Sequence, residues 1–292
     1  IFNSDKMANA CRQASVNTTE AMQLLPPTVF AFCFAHKIVY SESRLTYGFD
    51  KNLWETNKPH CNQDIKQMAI EQYMVLAETI LAQRRGPKGL PVNVLFVGCG
   101  SDTNLWGHLI RNVMKGRLDV LDDNPAWIEK CTKQTGSPVH TISYNHNYTT
   151  NTDDHMRFLK NITNFYRNKS LAMPELESES DYWFEKTPYP RSLAEVPYDV
   201  IVVDGPNQEY GRSQIMYLVA RLVRSYPHHH QVRIFAHDTN REIDKFYAEH
   251  FWGSWAHRLG SVRPCKGLEE YIAQGVNKPK YINFIEDQAG IA

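Results

Sequence analysis

The chain is predicted to fold as an α/β domain, a doubly wound and mostly parallel sheet of the Rossmann-like kind. Three observations predict it. Short, mostly apolar runs recur at 92–97, 117–121, 139–144, 198–203 and 232–236, and strands buried on both faces read this way, whereas half-exposed strands alternate. Helical stretches separate most of these runs, the pattern of a sheet covered on both sides. The first run stops at Gly98-Cys99-Gly100, two glycines spaced by one residue, where a strand turns sharply into a loop and then a helix.

Taken in order, residues 1–62 are irregular. Pro26-Pro27 interrupts a helical segment at 19–24, and 29–40 supplies a candidate strand. This stretch is expected to be an extension or lid over the core, with the domain itself spanning 63–292. Over 63–85 the residues Ile65, Met68, Ala69, Tyr73, Leu76, Ile80 and Leu81 recur at helical spacing, and Gly86-Pro87-Lys88-Gly89 ends the helix. Further helices are expected at 104–114, at 125–135 behind Asn124-Pro125, and at 213–225. Between the third and fourth strands lies a long insertion, 145–197. It has a helical stretch at 155–166 and a polar, proline-interrupted stretch at 171–190. Its aromatics Tyr182, Trp183, Phe184 and Tyr189 indicate packed structure rather than a solvated linker. They either face a substrate or staple the insertion to the core.

Composition excludes several classes. With 32 basic and 32 acidic residues the net charge is zero, so there is no global electrostatic case for nucleic acid. No apolar run approaches the roughly 20 residues a membrane-spanning helix requires. The chain begins at Ile1, which leaves open a preceding leader or anchor. Four glycosylation sequons, at Asn17, Asn147, Asn161 and Asn168, point to the secretory pathway, either the Golgi lumen or the extracellular space. The six cysteines lack CxxC spacing, which argues against a zinc site. One or two disulfides are expected among Cys11, Cys33, Cys61, Cys131 and Cys265, with Cys99 read as a small residue buried in the glycine turn.

The glycine turn lets backbone approach a ligand where a Cβ would block it. A dinucleotide site wants a third glycine three residues after the second, and that position is Thr103. Asp122 and Asp123 follow the second strand, ~20 residues on, where a carboxylate can accept from both hydroxyls of a ribose. A helix cap is the alternative for these acids. Glycine turn plus acid suits an adenosyl ligand without a pyrophosphate, and S-adenosylmethionine is the candidate cofactor. The fourth strand ends in Asp204-Gly205-Pro206 and the fifth in His237-Asp238. Ligands of open parallel sheets sit outside the carboxyl ends of the strands, so Gly98, Asp122, Asp204 and His237 should converge on one rim. There either Asp204 or His237 could take a proton from an attacking hydroxyl while the other orients it. A divalent cation beside this group lacks a clear third ligand, so no metal is assigned. His228-His229-His230 is read as a solvated loop before the fifth strand.

Together the segments Gly98-Cys-Gly-Ser-Asp102-Thr-Asn-Leu-Trp106, Leu121-Asp-Asp-Asn-Pro-Ala-Trp127-Ile128, Tyr198-Asp-Val-Ile-Val-Val-Asp204-Gly-Pro206, Gly211-Arg212 and Phe235-Ala-His237-Asp238-Thr-Asn-Arg241 resemble the ordered motifs of the plant polysaccharide-biosynthesis family that includes the glucuronoxylan 4-O-methyltransferases. The resemblance covers roughly 92–247. It implies a Golgi-type, S-adenosylmethionine-dependent enzyme that methylates glucuronic acid on a polysaccharide. By that likeness Gly98, Cys99, Gly100 and Asp102 border the cofactor's methionine end and Asp122, with Asp123, its ribose. Asp204, Arg212, His237 and Asp238 then lie toward the acceptor. The family usually carries a glutamate pair at Asp122-Asp123 and an alanine at Gly205, departures expected to be conservative for cofactor binding.

The leading expectation is therefore an O-methyltransferase acting on a uronic-acid-bearing glycan. Arg212 and Arg241 are candidates to pair with the uronate, for which a planar guanidinium is well shaped; surface ion pairs are the alternative for each. Methylation of the carboxylate itself is a variant that needs no base. A secreted structural or glycan-binding protein that keeps the fold without the activity is the second expectation.

Overall fold

The computed structural model describes residues 31, 35, 68, 70–83, 91–100, 102–135, 139–141, 189–205, 212–227, 229–253, 256–261, 267–275 and 284–285. The four sequons, cysteines 11, 33, 61 and 265, nearly all of 1–62, residues 142–144 of the expected third strand and 145–188 of the insertion lie outside the described residues.

Seven strands form one sheet in the order β3-β2-β1-β5-β6-β8-β7. They are β1 Asn93–Val97, β2 Arg117–Asp122, β3 Val139–Thr141, β5 Val200–Val203, β6 Gln231–His237, β7 Ala256–Ser261 and β8 Leu268–Gln274. The first five in sequence pair parallel, while β8 runs antiparallel to both β6 and β7. β4 Tyr189–Pro190 and β9 Phe284–Ile285 make a separate two-stranded ribbon. The chain winds outward from β1 to β3 and then returns to β5 on the other side of β1. The crevice at this reversal of direction is where ligands of such sheets bind.

Both faces of the sheet are covered, which explains the apolar runs. Along β1, Val94 and Phe96 point into one core cluster with Trp106, Leu109 and Ile110. Leu95 and Val97 point into the other, with Ile215, Leu218 and Val219. The first layer contains α1 Ile70–Ala82 and α2 Thr103–Gly107, which continues as a π-helical stretch, His108–Val113. The second contains α4 Arg212–Ser225 and α5 Glu242–Trp252. α3 Pro125–Thr135 follows β2.

Ala31 and Ala35 are helical and fully buried in the first layer, which corrects the expected strand at these two positions; the rest of 29–40 lies outside the described residues. An apolar run this short carries no usable period, and alanines four residues apart share one face of a helix. The β7–β8 hairpin and α5 are additions to the expected elements. Of the histidine tract, His228 lies outside the described residues and His229 is exposed in a turn as expected, whereas His230 is buried, with Nε2 2.8 Å from the Tyr198 carbonyl oxygen, and anchors the entry to β6. Nearby, the Tyr198 hydroxyl donates to Asp119 at 2.5 Å, and Arg117 donates to the same carboxylate oxygen at 2.7 Å. Among the described residues no helix is long and apolar enough to cross a membrane.

Candidate active site

The turn after β1 is built from backbone contacts that side chains would obstruct. Gly98 has φ +105°, a left-handed conformation that side chains resist, and a Cβ there would fall 2.8 Å from the Gly205 nitrogen. Conversely, a Cβ on Gly205 would fall 2.7 Å from the Gly98 Cα. The ends of β1 and β5 thus touch backbone to backbone. This corrects the view that alanine and glycine are interchangeable at 205: in this backbone the methyl group has no room.

Asp122 closes the turn from the side of β2. Its Oδ2 accepts from the Cys99 N–H at 2.6 Å and its Oδ1 from the Asn124 N–H at 2.8 Å. The carboxylate is buried, and burial raises its pKa despite these donors. The Asp123 N–H is a third backbone donor to this carboxylate, so of its four acceptor sites three are spent on bracing the loop and one remains. Asp123, the next residue, is half-buried.

The turn carries a covalent tie that the sequence reading did not assign. Cys99 is disulfide-bonded to Cys131 of α3, with Cα atoms 6.5 Å apart, inside the range such bonds require. Cys99 is therefore a cross-linked residue rather than a lone buried one. Nothing local signals the pair, because the partners are 32 positions apart.

Asp102 stands at the start of α2, where its Oδ2 accepts from the indole N–H of the fully buried Trp106 at 3.0 Å. Burial, followed by the charge of Asp204, pushes its carboxyl up to about 6. A Cβ on Gly100 would meet Asp102 Oδ1 at 2.5 Å, so the absence of a side chain there is what lets the carboxylate lie over the turn. One acid over the glycine turn and another at the end of β2 form a cradle whose donors and acceptors fit the ammonium and ribose hydroxyls of an adenosyl amino acid.

On the other side of the crevice, His237 Nδ1 lies 2.5 Å from Asp204 Oδ1. The histidine side chain is 8% exposed and the aspartate 38%. Burial opposes the charged histidine, but the Asp204 carboxylate raises its pKa; reciprocally, burial opposes the Asp204 carboxylate and the His237 charge lowers its pKa. Asp238 follows in a left-handed conformation, φ +59°, which aspartate adopts more readily than most side-chain-bearing residues. Its Oδ2 accepts from Arg212 Nη2 at 2.7 Å and from Arg241. Arg241, at the N-terminus of α5, also lies 2.9 Å from Asp244. Burial pushes Asp244 up to about 6, against Arg212 and Arg241. Sequence reasoning missed Asp244, although the spacing Arg241-x-x-Asp244 at a helix start is a readable signal.

The expected rim residues are thus brought to one end of the sheet, but the two arginines differ. Arg241 is partly open, with 36% of its side chain exposed. Arg212 is buried and turned inward on strand ends. Asp204, His237 and Asp238 each offer a donor atom, all within 4.8 Å of one another. Those atoms are already committed: His237 Nδ1 to Asp204, and Asp238 Oδ2 to Arg212 and Arg241.

Comparison with known proteins identifies the family. The sequence profile of the IRX15/IRX15L/GXM family matches residues 76–256. Arabinogalactan O-methyltransferase 2 of Arabidopsis thaliana is 26% identical over 172 residues, 56% of this chain and 55% of the relative. Glucuronoxylan 4-O-methyltransferase 1 of the same plant is 25% identical over 186 residues, 62% of each. The chain therefore spans somewhat over half the length of the curated relatives it matches. Among solved structures, it is similar to a TehB-like SAM-dependent methyltransferase from Corynebacterium glutamicum (TM-score 0.35, 11% identity, 70% of this chain and 97% of that one). It is also similar to the fibrillarin pre-rRNA processing protein of Methanococcus jannaschii (TM-score 0.34, 11% identity, 70% and 75%). With the family profile covering more than half of its length and the family's strand-end motifs gathered on one rim, the chain belongs to the IRX15/IRX15L/GXM family.

Proposed function

We propose that the protein is an S-adenosylmethionine-dependent O-methyltransferase that modifies glucuronic acid residues of a plant cell-wall type glycan, by 4-O-methylation of a glucuronoxylan-like chain. The observation that carries this reading is the His237–Asp204 hydrogen bond at the rim, facing a cradle whose acids suit an adenosyl amino acid. The names of the relatives support a glycan acceptor, and the Cys99–Cys131 disulfide supports residence in an oxidising compartment such as the Golgi lumen.

When bound, S-adenosylmethionine supplies an electrophilic methyl group. The protein's part is to hold an acceptor hydroxyl in line with that methyl and to take its proton as it attacks. Asp204 is the more open member of the pair, so its carboxylate receives the proton, while the buried His237 fixes the carboxylate from behind. Asp102 pairs with the ammonium end of the cofactor and Asp122 and Asp123 with its ribose. Arg241 reads the uronate carboxylate at the edge of the site.

The test is methyl transfer from labelled S-adenosylmethionine to glucuronoxylan, with carboxyl-reduced glucuronoxylan as the comparison. Alkali-stable label on the uronate polymer, and little on the reduced one, is the expected result. Alkali-labile label would mean ester formation and sink hydroxyl methylation. No transfer, together with no calorimetric binding of the cofactor at roughly millimolar concentration, would favour a glycan-binding protein without activity.

A further inference from the structure

We propose that Arg212 is a positioning residue that clamps the ends of β5 and β6 together and so fixes the His237–Asp204 pair, rather than a ligand for the acceptor's carboxylate. The proposal rests on the catalytic reading of that pair given above.

The geometry of the guanidinium carries the argument. Arg212 Nη1 donates to the His237 carbonyl oxygen at 2.6 Å, and Nη2 donates to the Asp204 carbonyl oxygen at 3.2 Å and to Asp238 Oδ2 at 2.7 Å. A single planar fork therefore holds the main chain of both members of the pair and the side chain of the residue that follows one of them. These residues sit at the ends of neighbouring parallel strands, and the hydrogen bond between His237 and Asp204 spans the same gap. Arg212 is 1% exposed, so a polysaccharide carboxylate has no approach to it. Its buried charge is compensated from within by Asp238 and, at 3.9 Å, by Asp204 Oδ1. The same fork also fixes the side chain of Asp238, the left-handed residue that follows His237. A lysine would keep the charge, but as a point donor it could not span two carbonyls and a carboxylate at once.

The test compares Arg212→Lys and Arg212→Met with the parent protein by steady-state kinetics, cofactor calorimetry and ¹⁵N NMR of the His237 ring. For Arg212→Lys the expected result is a folded protein with cofactor Kd and acceptor KM within about threefold of the parent. Its kcat should fall by about a hundredfold, the scale of a misplacement near 1 Å. The ring nitrogen signals of His237 should lose the pattern of an Nδ1 bound to a carboxylate, even with no substrate present. A tenfold or greater rise in acceptor KM with kcat retained would overturn the proposal and return Arg212 to carboxylate binding. An unchanged ring pattern in both variants would also overturn it, as would failure of both to fold, which would make the residue's role one of fold support. If the parent transfers no methyl group to uronate glycans, the catalytic reading fails by itself, and the ring signals still decide whether Arg212 holds the pair.

Discussion

His237 Nδ1 lies 2.5 Å from Asp204 Oδ1, and it is the histidine of the two that is buried. In the familiar serine-hydrolase arrangement the carboxylate is buried and the imidazole faces the substrate; here the order is reversed. If Asp204 takes the proton, its lowered pKa keeps it ionised to below the ordinary 3.8, and kcat at saturating cofactor should be level from about pH 5 to about pH 8. If His237 were the base, its raised pKa would put an acidic limb above the ordinary 6.5. The kcat–pH profile distinguishes the two. Asp204→Asn should lower kcat by about 10²–10⁴-fold while calorimetry still shows cofactor binding.

The same pair should appear in stability. His237, raised by its partner, contributes stability that is full below 6.5 and is lost as pH rises through its raised pKa. Asp204, lowered by its partner, contributes stability present above 3.8 and lost as pH falls through its lowered pKa. The parent protein should therefore show its highest Tm between those limits. Asp204→Asn should flatten the alkaline decline, and a decline of equal size in the variant would show that other groups cause it.

Gly205→Ala would place a methyl group 2.7 Å from the Gly98 Cα, against the Val97–Gly98 backbone. Overpacking of this kind costs about 1–3 kcal/mol. Any relief must move the cofactor turn itself. A lower Tm together with weaker cofactor binding is expected; a variant with parental Tm and Kd would show that the two strand ends can part freely.

Much of this architecture was legible in the sequence, and the reasons for the gaps are physical. Val94 to Val97 and Val200 to Val203 announced doubly covered strands because each side chain meets a core, whichever way it points. β8 announced nothing, because it carries Glu269 and Glu270. Glu269 is buried only because Arg258 and the Tyr271 hydroxyl satisfy it, and Arg258 lies on another strand. Strand-end motifs located Asp204 and His237, but no local pattern says which is buried. Arg212 looked like a substrate ligand for the same reason: charge is visible in a sequence, while the two carbonyls that occupy it are not.

The Cys99–Cys131 bond ties the cofactor turn to α3 across 32 positions. Closing a loop of that size stabilises a fold by about 3–4 kcal/mol in the chain-entropy account. Cys131→Ser should therefore lower Tm, and it should weaken cofactor binding more than acceptor binding, since Cys99 also presents its N–H to Asp122. The paired Kd measurements check this; an equal loss for both ligands would point to general loosening of the domain instead.

On the proposed function, Asp102 should set the pH dependence of cofactor binding. Its carboxyl, pushed up to about 6 by burial and then by Asp204, must be ionised to pair with an ammonium group. Affinity should thus be level at neutral pH and fall roughly tenfold per unit as pH drops below about 6. Trp106 donates a hydrogen bond that holds this pKa down, so Trp106→Phe should move the transition to higher pH while keeping most of the packing. Asp102→Asn should abolish the transition and bind weakly at every pH. Calorimetric titrations with S-adenosylmethionine across the range read all three proteins, and a transition that survives in Asp102→Asn would assign it to another acid.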